Sequence, residues 1–70
     1  MNKEKIMEHL DDVIKEIPIK YREVISLFYL EEKNYIEISE ILKIPISTVG
    51  VRLGRAKRLI KKIYLSKYHV

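Results

Sequence analysis

Apolar side chains recur along this chain at spacings of three and four. They alternate with a period of two over no useful length, so the pattern predicts helix rather than strand. Ile6, Leu10, Val13, Ile14 and Ile17 form one stripe and predict a first helix from about residue 3 to 17. Glu4 and Glu8 lie near its start, where the helix dipole favours negative charge. Pro18 ends it, because the ring lacks an N–H and disfavours helical geometry in Ile17. A second helix is predicted from about 19 to 31, with Tyr21, Val24, Ile25 and Phe28 on one side. Leu27, Tyr29 and Leu30 fall outside that stripe. A helix apolar around most of its circumference is either central in the fold or docked against something else.

Asn34 is a good N-cap for a third helix, about 35 to 42, with Ile38, Ile41 and Leu42 expected inward. Lys43-Ile44-Pro45 makes a short break, and a last helix opens near Pro45 or Ser47 and runs to about 65. At about 100° per residue, Val49, Leu53, Ala56, Ile60 and Ile63 share one direction. Ser47, Val51, Arg58 and Lys62 lie roughly opposite, with Gly54 and Arg55 flanking them. The reading is all-α: four helices in a single domain over residues 1–70, ending in a helix-turn-helix at about 35–62. No Ser/Gly-rich linker, repeat or low-complexity stretch interrupts it.

Charge sharpens this picture. Residues 1–40 carry ten acidic and six basic side chains, whereas residues 41–70 carry eight basic ones and no acid. A formal net charge of +4 therefore hides a second half at +8, which points to a polyanionic partner. The plain alternative is a solvated basic helix. Seventy residues without a cysteine must hold together by an apolar core, and a 47% hydrophobic content supplies one. Leu27-Phe28-Tyr29-Leu30 is the longest apolar run, against the ~18 residues a membrane span needs. Neither a span nor a signal peptide is expected, and a reducing, cytoplasmic location is the default.

The positions facing outward on the last helix are the candidates for DNA contact. Arg55 and Arg58 suit phosphate clamping or bidentate contact with guanine; Arg52, nearer the core edge, suits a phosphate. Ser47 and Thr48 sit where hydroxyls and free N–H groups bind phosphate oxygens, or where they simply cap the helix. Val51 has methyls for thymine, and Lys57, Lys61 and Lys62 add attraction. Lys33 and Tyr35, opening the third helix, are weaker candidates for backbone contact, while Tyr64 and Tyr68 are expected to pack or lie exposed. Enzyme chemistry is not expected. His9 and His69 stand at opposite ends without metal-ligand or triad spacing, Glu8, Asp11 and Asp12 read as an exposed face, and no glycine-rich phosphate loop is present. No cofactor is implied.

Several stretches together resemble a known family: Ile17-Pro18, Tyr21-Arg22-Glu23-Val24, and the run Tyr35 to Leu42. Ile44-Pro45-Ile46-Ser47-Thr48-Val49 and Arg52-Leu53-Gly54-Arg55-Ala56-Lys57 continue the match. The pattern resembles region 4 of bacterial RNA polymerase sigma factors, in particular the extracytoplasmic-function type, over roughly residues 8 to 62. The resemblance implies recognition of the minus-35 promoter element in double-stranded DNA. It also implies docking on RNA polymerase core through the β-subunit flap, and cover by an anti-sigma factor. Leu27, Tyr29 and Leu30 are the candidate partner-binding residues.

Three positions depart from the family pattern. Lys43 stands where the family usually has a turn glycine, which implies a different turn or some strain. Gly50 and Gly54 stand where members reach base edges. Two readings stay open for these glycines: close approach of the backbone to DNA, or weakened base readout. A sigma-like protein-interaction module without strong base readout is the second functional reading. Regulators of the LuxR/GerE type, similar in length and helix order, are a third, although the Ile-Pro and Arg-Leu-x-Arg-Ala-Lys segments fit them less well.

Overall fold

The computed structural model describes residues 9–68. Helix α1 spans Leu10–Ile14, α2 Ile19–Ile25, α3 Tyr35–Leu42 and α4 Ile46–Tyr68. The expected start of the first helix at residue 3, with Glu4 and Glu8, lies outside the described residues. Its end comes earlier than predicted. After Ile14 the chain tightens, with Glu16 N donating to Val13 O and Ile17 N to Ile14 O, a three-residue pattern that winds up the last turn. Ile17 is nonetheless buried, as are Leu10 and Val13.

Pro18 then serves both neighbours. With ψ at 149° it is extended and breaks the first helix. Its carbonyl accepts from Tyr21 N at 3.0 Å and Arg22 N at 3.1 Å, opening α2. Arg22 Nε donates back to Ile17 O at 2.9 Å and ties the corner together.

The second helix is not regular to its end. From Ser26 to Leu30 it widens into a π-helix, closed by Glu31 N donating to Ser26 O. Lys33 N reaches Leu27 O at 2.8 Å, and Glu32 takes a left-handed φ of 56° to allow it. The sequence offers a physical reason: four apolar residues in a row have no single inward face at 3.6 residues per turn. The wider turn lets Leu27, Phe28 and Tyr29 all rest, half-buried, against the core, leaving Leu30 exposed. The residues expected to stand apart from the packed stripe are thus mostly part of it.

Helix α3 begins with a full capping box. Asn34 Oδ1 accepts from Glu37 N at 2.8 Å, and Glu37 Oε1 accepts from Asn34 N at 2.9 Å. Ile38 is fully buried and Leu42 half-buried, but Ile41, expected inward, is 50% exposed. At 100° per residue Ile41 lies about 60° from Ile38, far enough to turn it from the core to the edge of a surface groove. Lys43 ends α3 in the left-handed region, φ 57° and ψ 48°. This is the conformation that glycine adopts without cost, so the expected strain at Lys43 is present. The turn is closed by Ile44 N donating to Ser39 O and by Ser39 Oγ donating to Ile44 O at 2.6 Å.

Pro45 starts α4 by accepting from Thr48 N and Val49 N. The helix runs to Tyr68, three residues beyond expectation, and at 1.5 Å per residue is about 34 Å long. It is the spine of a molecule measuring 39 × 18 × 18 Å. Val49, Leu53, Ala56 and Ile60 are buried on the predicted side, meeting Ile38 of α3, Tyr21, Val24 and Ile25 of α2, and the apolar side of α1. No buried polar side chain interrupts this core among the described residues.

Candidate nucleic-acid interface

The face of α4 that the core leaves uncovered carries the chemistry. At 100° per residue, Ser47, Val51, Arg55, Arg58 and Lys62 lie within about 40° of one direction. All five are exposed. Arg52 and Thr48 flank them and are half-buried, so Arg52 sits at the core edge as anticipated. Pro45 offers no side-chain cap, and the N–H groups of Ile46 and Ser47 precede the first helical bond, leaving donors at the helix start. Neither the Ser47 nor the Thr48 hydroxyl finds a partner among the described residues, so simple N-capping does not account for them.

The guanidinium groups are equally uncommitted. Among the described residues the ion pair present joins Lys67 to Glu16, far from Arg52, Arg55, Arg58 and Lys62. The outward side of α4 is thus a ridge of cations without a carboxylate partner among the described residues. Lys57 is expected only to add general attraction, alongside Lys61 and Lys62. It points some 120° away from the ridge at helical spacing, and its ammonium lies 5.5 Å from the Phe28 ring centre and 5.8 Å from that of Tyr29. Its charge adds to the general field but is held on the protein side.

Tyr35 is 39% exposed. Its ring meets Phe28 edge-on at 5.8 Å, and its Cε2 lies 3.6 Å from where a Gly50 side chain would begin. It braces the start of α3 against α4 and keeps part of its surface outward. Lys33 is half-buried beside it, its backbone closing the π turn. Gly50 and Gly54 both have ordinary helical backbone, and nothing lies within 4 Å of a side chain added at Gly54. The fold therefore requires neither glycine.

A second surface lies on the other side of the π turn. A groove of about 370 Å³ is lined by Arg22, Glu23, Ser26, Leu27, Glu31, Ile41 and Leu42. Leu27 was anticipated as a partner contact, and Leu30, exposed at 51%, stands near the end of the same segment. Ile41 and Leu42, both expected inward, line the groove too, and Leu42 also packs against the core. Tyr29 is half-buried, in edge-on contact with Phe28. At the far end of α4, Tyr64 and Tyr68 pack as expected. His9 stacks on Tyr68 at 3.9 Å, and the Tyr68 hydroxyl donates to Asp12 Oδ2 at 3.3 Å. The Tyr68 phenol is pushed above its ordinary value, first by desolvation and then by Asp12; Lys67 is raised by its hydrogen bond to Glu16. No group of His, Asp or Glu is placed to hold a metal among the described residues. No helix described is long and apolar enough to cross a membrane.

A capped short helix, a turn through a left-handed residue and a long helix with its cationic side outward define a helix-turn-helix DNA-binding domain. More narrowly, the chain belongs to the sigma-70 region 4 family, whose model matches residues 7–60. This decides against the LuxR/GerE reading. Members of this family are non-enzymatic domains of transcription initiation factors.

Among its relatives is the ECF RNA polymerase sigma factor SigW of Bacillus subtilis (strain 168). The two are 47% identical over 49 residues, which is 70% of this chain and 26% of that protein. The ECF RNA polymerase sigma factor SigM of the same organism is 38% identical over 60 residues, 86% of this chain and 37% of that protein. The chain thus spans about a quarter to just over a third of these relatives' length.

Proposed function

We propose that this domain recognises the minus-35 element of promoters, with α4 in the major groove and α3 lying across it. The observation that carries the reading is the unpaired, outward ridge of Arg55, Arg58 and Lys62 on a helix whose opposite side is fully buried. Val51 and Arg55 reach base edges. Arg52, Arg58 and Lys62 hold phosphates, helped by the Ser47 and Thr48 hydroxyls and the free N–H groups at the start of α4. Lys33 and Tyr35 touch the backbone from α3. About four to six neutralised phosphates give a fall of log K with log[salt] at a slope of roughly −4 to −5.

The groove beside the π turn is the polymerase side of the same reading. Its Leu27, Ile41 and Leu42 lining, with Leu30 near the segment's end, fits an apolar helical segment such as the β-subunit flap of RNA polymerase core. An anti-sigma factor competes for this surface. The setting is the cytoplasm, where polymerase works.

Two substitutions separate promoter reading from a pure protein-interaction role. Both residues are exposed, so neither change disturbs the core. Arg55→Ala weakens binding to a minus-35 duplex by about 1–3 kcal/mol and leaves capture by polymerase core unchanged. Leu30→Asp abolishes capture by core and leaves duplex binding unchanged. If Arg55→Ala has no effect on DNA binding while Leu30→Asp abolishes partner binding, the domain is an interaction module.

A further inference from the structure

Val51 is 50% exposed in the middle of a face otherwise made of Ser47, Arg55, Arg58 and Lys62. Nothing in the fold asks for it. A β-branched side chain at a solvent-facing helix position is a poorer helix former than alanine or lysine. Ile41, equally exposed, lines the groove instead. The backbone beside Val51 is bare on one side. Gly50 precedes it and Gly54 lies one turn further on, with open space where a side chain would stand. At helical spacing its two methyls have bare backbone on one flank and Arg55 on the other.

An apolar contact ringed by unpaired guanidinium groups suits few surfaces. An apolar protein partner would strip water from Arg55 and Arg58 and offer them no counter-charge, which is costly. The DNA major groove offers both features at once: phosphates along its rims, and on its floor the C5-methyl of thymine, the apolar mark that distinguishes that base. We propose that Val51 is a specificity-determining residue that reads the methyl group of one thymine. This rests on the reading of α4 as the major-groove helix. Arg55 lies one turn further on, about 6 Å along the axis. The thymine therefore sits within about two base-pair steps of the group Arg55 holds.

The test starts from a randomised DNA duplex library, selected with the full chain at about 50 mM salt, where phosphate contacts are strongest. Enriched duplexes are resynthesised with deoxyuridine replacing thymidine at one position at a time, which removes only the methyl. At one position the unsubstituted protein loses about three- to fourfold in affinity, the value of one apolar carbon leaving water. Val51→Ala, a better helix former at an exposed site, binds the two duplexes equally. The proposal is overturned if the unsubstituted protein ignores uracil at every position. It is equally overturned if Val51→Ala keeps the discrimination. A selection that enriches no duplex at all overturns the DNA-binding reading itself, and with it this one.

Discussion

At the scale of single residues, the outcome turns on which side chains the fold needs. Gly54 is one it does not need: its backbone is helical and its neighbourhood empty. Gly54→Ala is therefore expected to raise stability by about 1 kcal/mol, the ordinary gain of alanine over glycine inside a helix. Urea denaturation followed by circular dichroism checks it. The same variant decides what the glycine is for. A loss of DNA affinity alongside the gain assigns it to close approach of the backbone, and unchanged affinity assigns it to a position released from base reading. Lys43 was legible as a special turn residue, and its left-handed φ of 57° bears that out. Ile41 was not legible. Its spacing fits an inward stripe, but it stands about 60° from Ile38, and the core covers only the side on which Ile38 lies. A periodic pattern gives the direction of a stripe but not the width that neighbouring elements will cover.

Among the elements, legibility followed local chemistry. Helix α3 was placed to the residue, because Asn34 carries its own start signal and Pro45 limits its end. Asn34→Ala removes the acceptor for Glu37 N and leaves the Glu37 carboxylate without its reciprocal geometry. The expected cost is about 1 kcal/mol, read as a lower denaturation midpoint with an unchanged slope. Helix α4 was legible for a different reason: its buried and cationic sides stand nearly opposite one another over more than four turns. The π turn at Ser26–Leu30 escaped the sequence reading. Counting at 3.6 residues per turn presumes the very hydrogen-bond pattern that this segment abandons. The sign of trouble was present in the sequence, as a helix with no polar side, but the remedy the backbone took was not. That remedy matters for function. The π turn puts Leu27 at the groove while Phe28 and Tyr29 face Lys57 and Tyr35, so one segment borders both surfaces.

Taken as a whole, the molecule is a long helix with its cationic ridge toward one end and a fastening at the other. The fastening joins α1 to the last turns of α4 through the His9–Tyr68 stack, the Tyr68–Asp12 hydrogen bond and the Lys67–Glu16 ion pair. Two of its groups titrate in alkali. Lys67 and Tyr68 both bind their protons more tightly in the folded chain than their ordinary values of 10.5 and 10.0. For Lys67 the first cause is the Glu16 hydrogen bond, and for Tyr68 it is desolvation. A group whose folded value is raised contributes its stability in full below the unfolded value and loses it as pH rises through the folded one. The two effects have the same sign, so the thermal midpoint should hold steady up to about pH 9 and fall beyond about pH 10. Lys67 is exposed and Tyr68 only half-buried, so the fall is partial and weakens with added salt. Comparison with a variant that lacks both groups isolates their contribution. In Lys67→Met/Tyr68→Phe the midpoint starts lower at pH 8, because the ion pair and the hydrogen bond to Asp12 are gone, and then falls less steeply toward pH 11. Parallel curves for the two proteins would mean that the far end of α4 is held by apolar packing alone, with Leu10, Val13 and Ile60 sufficient to seat α1.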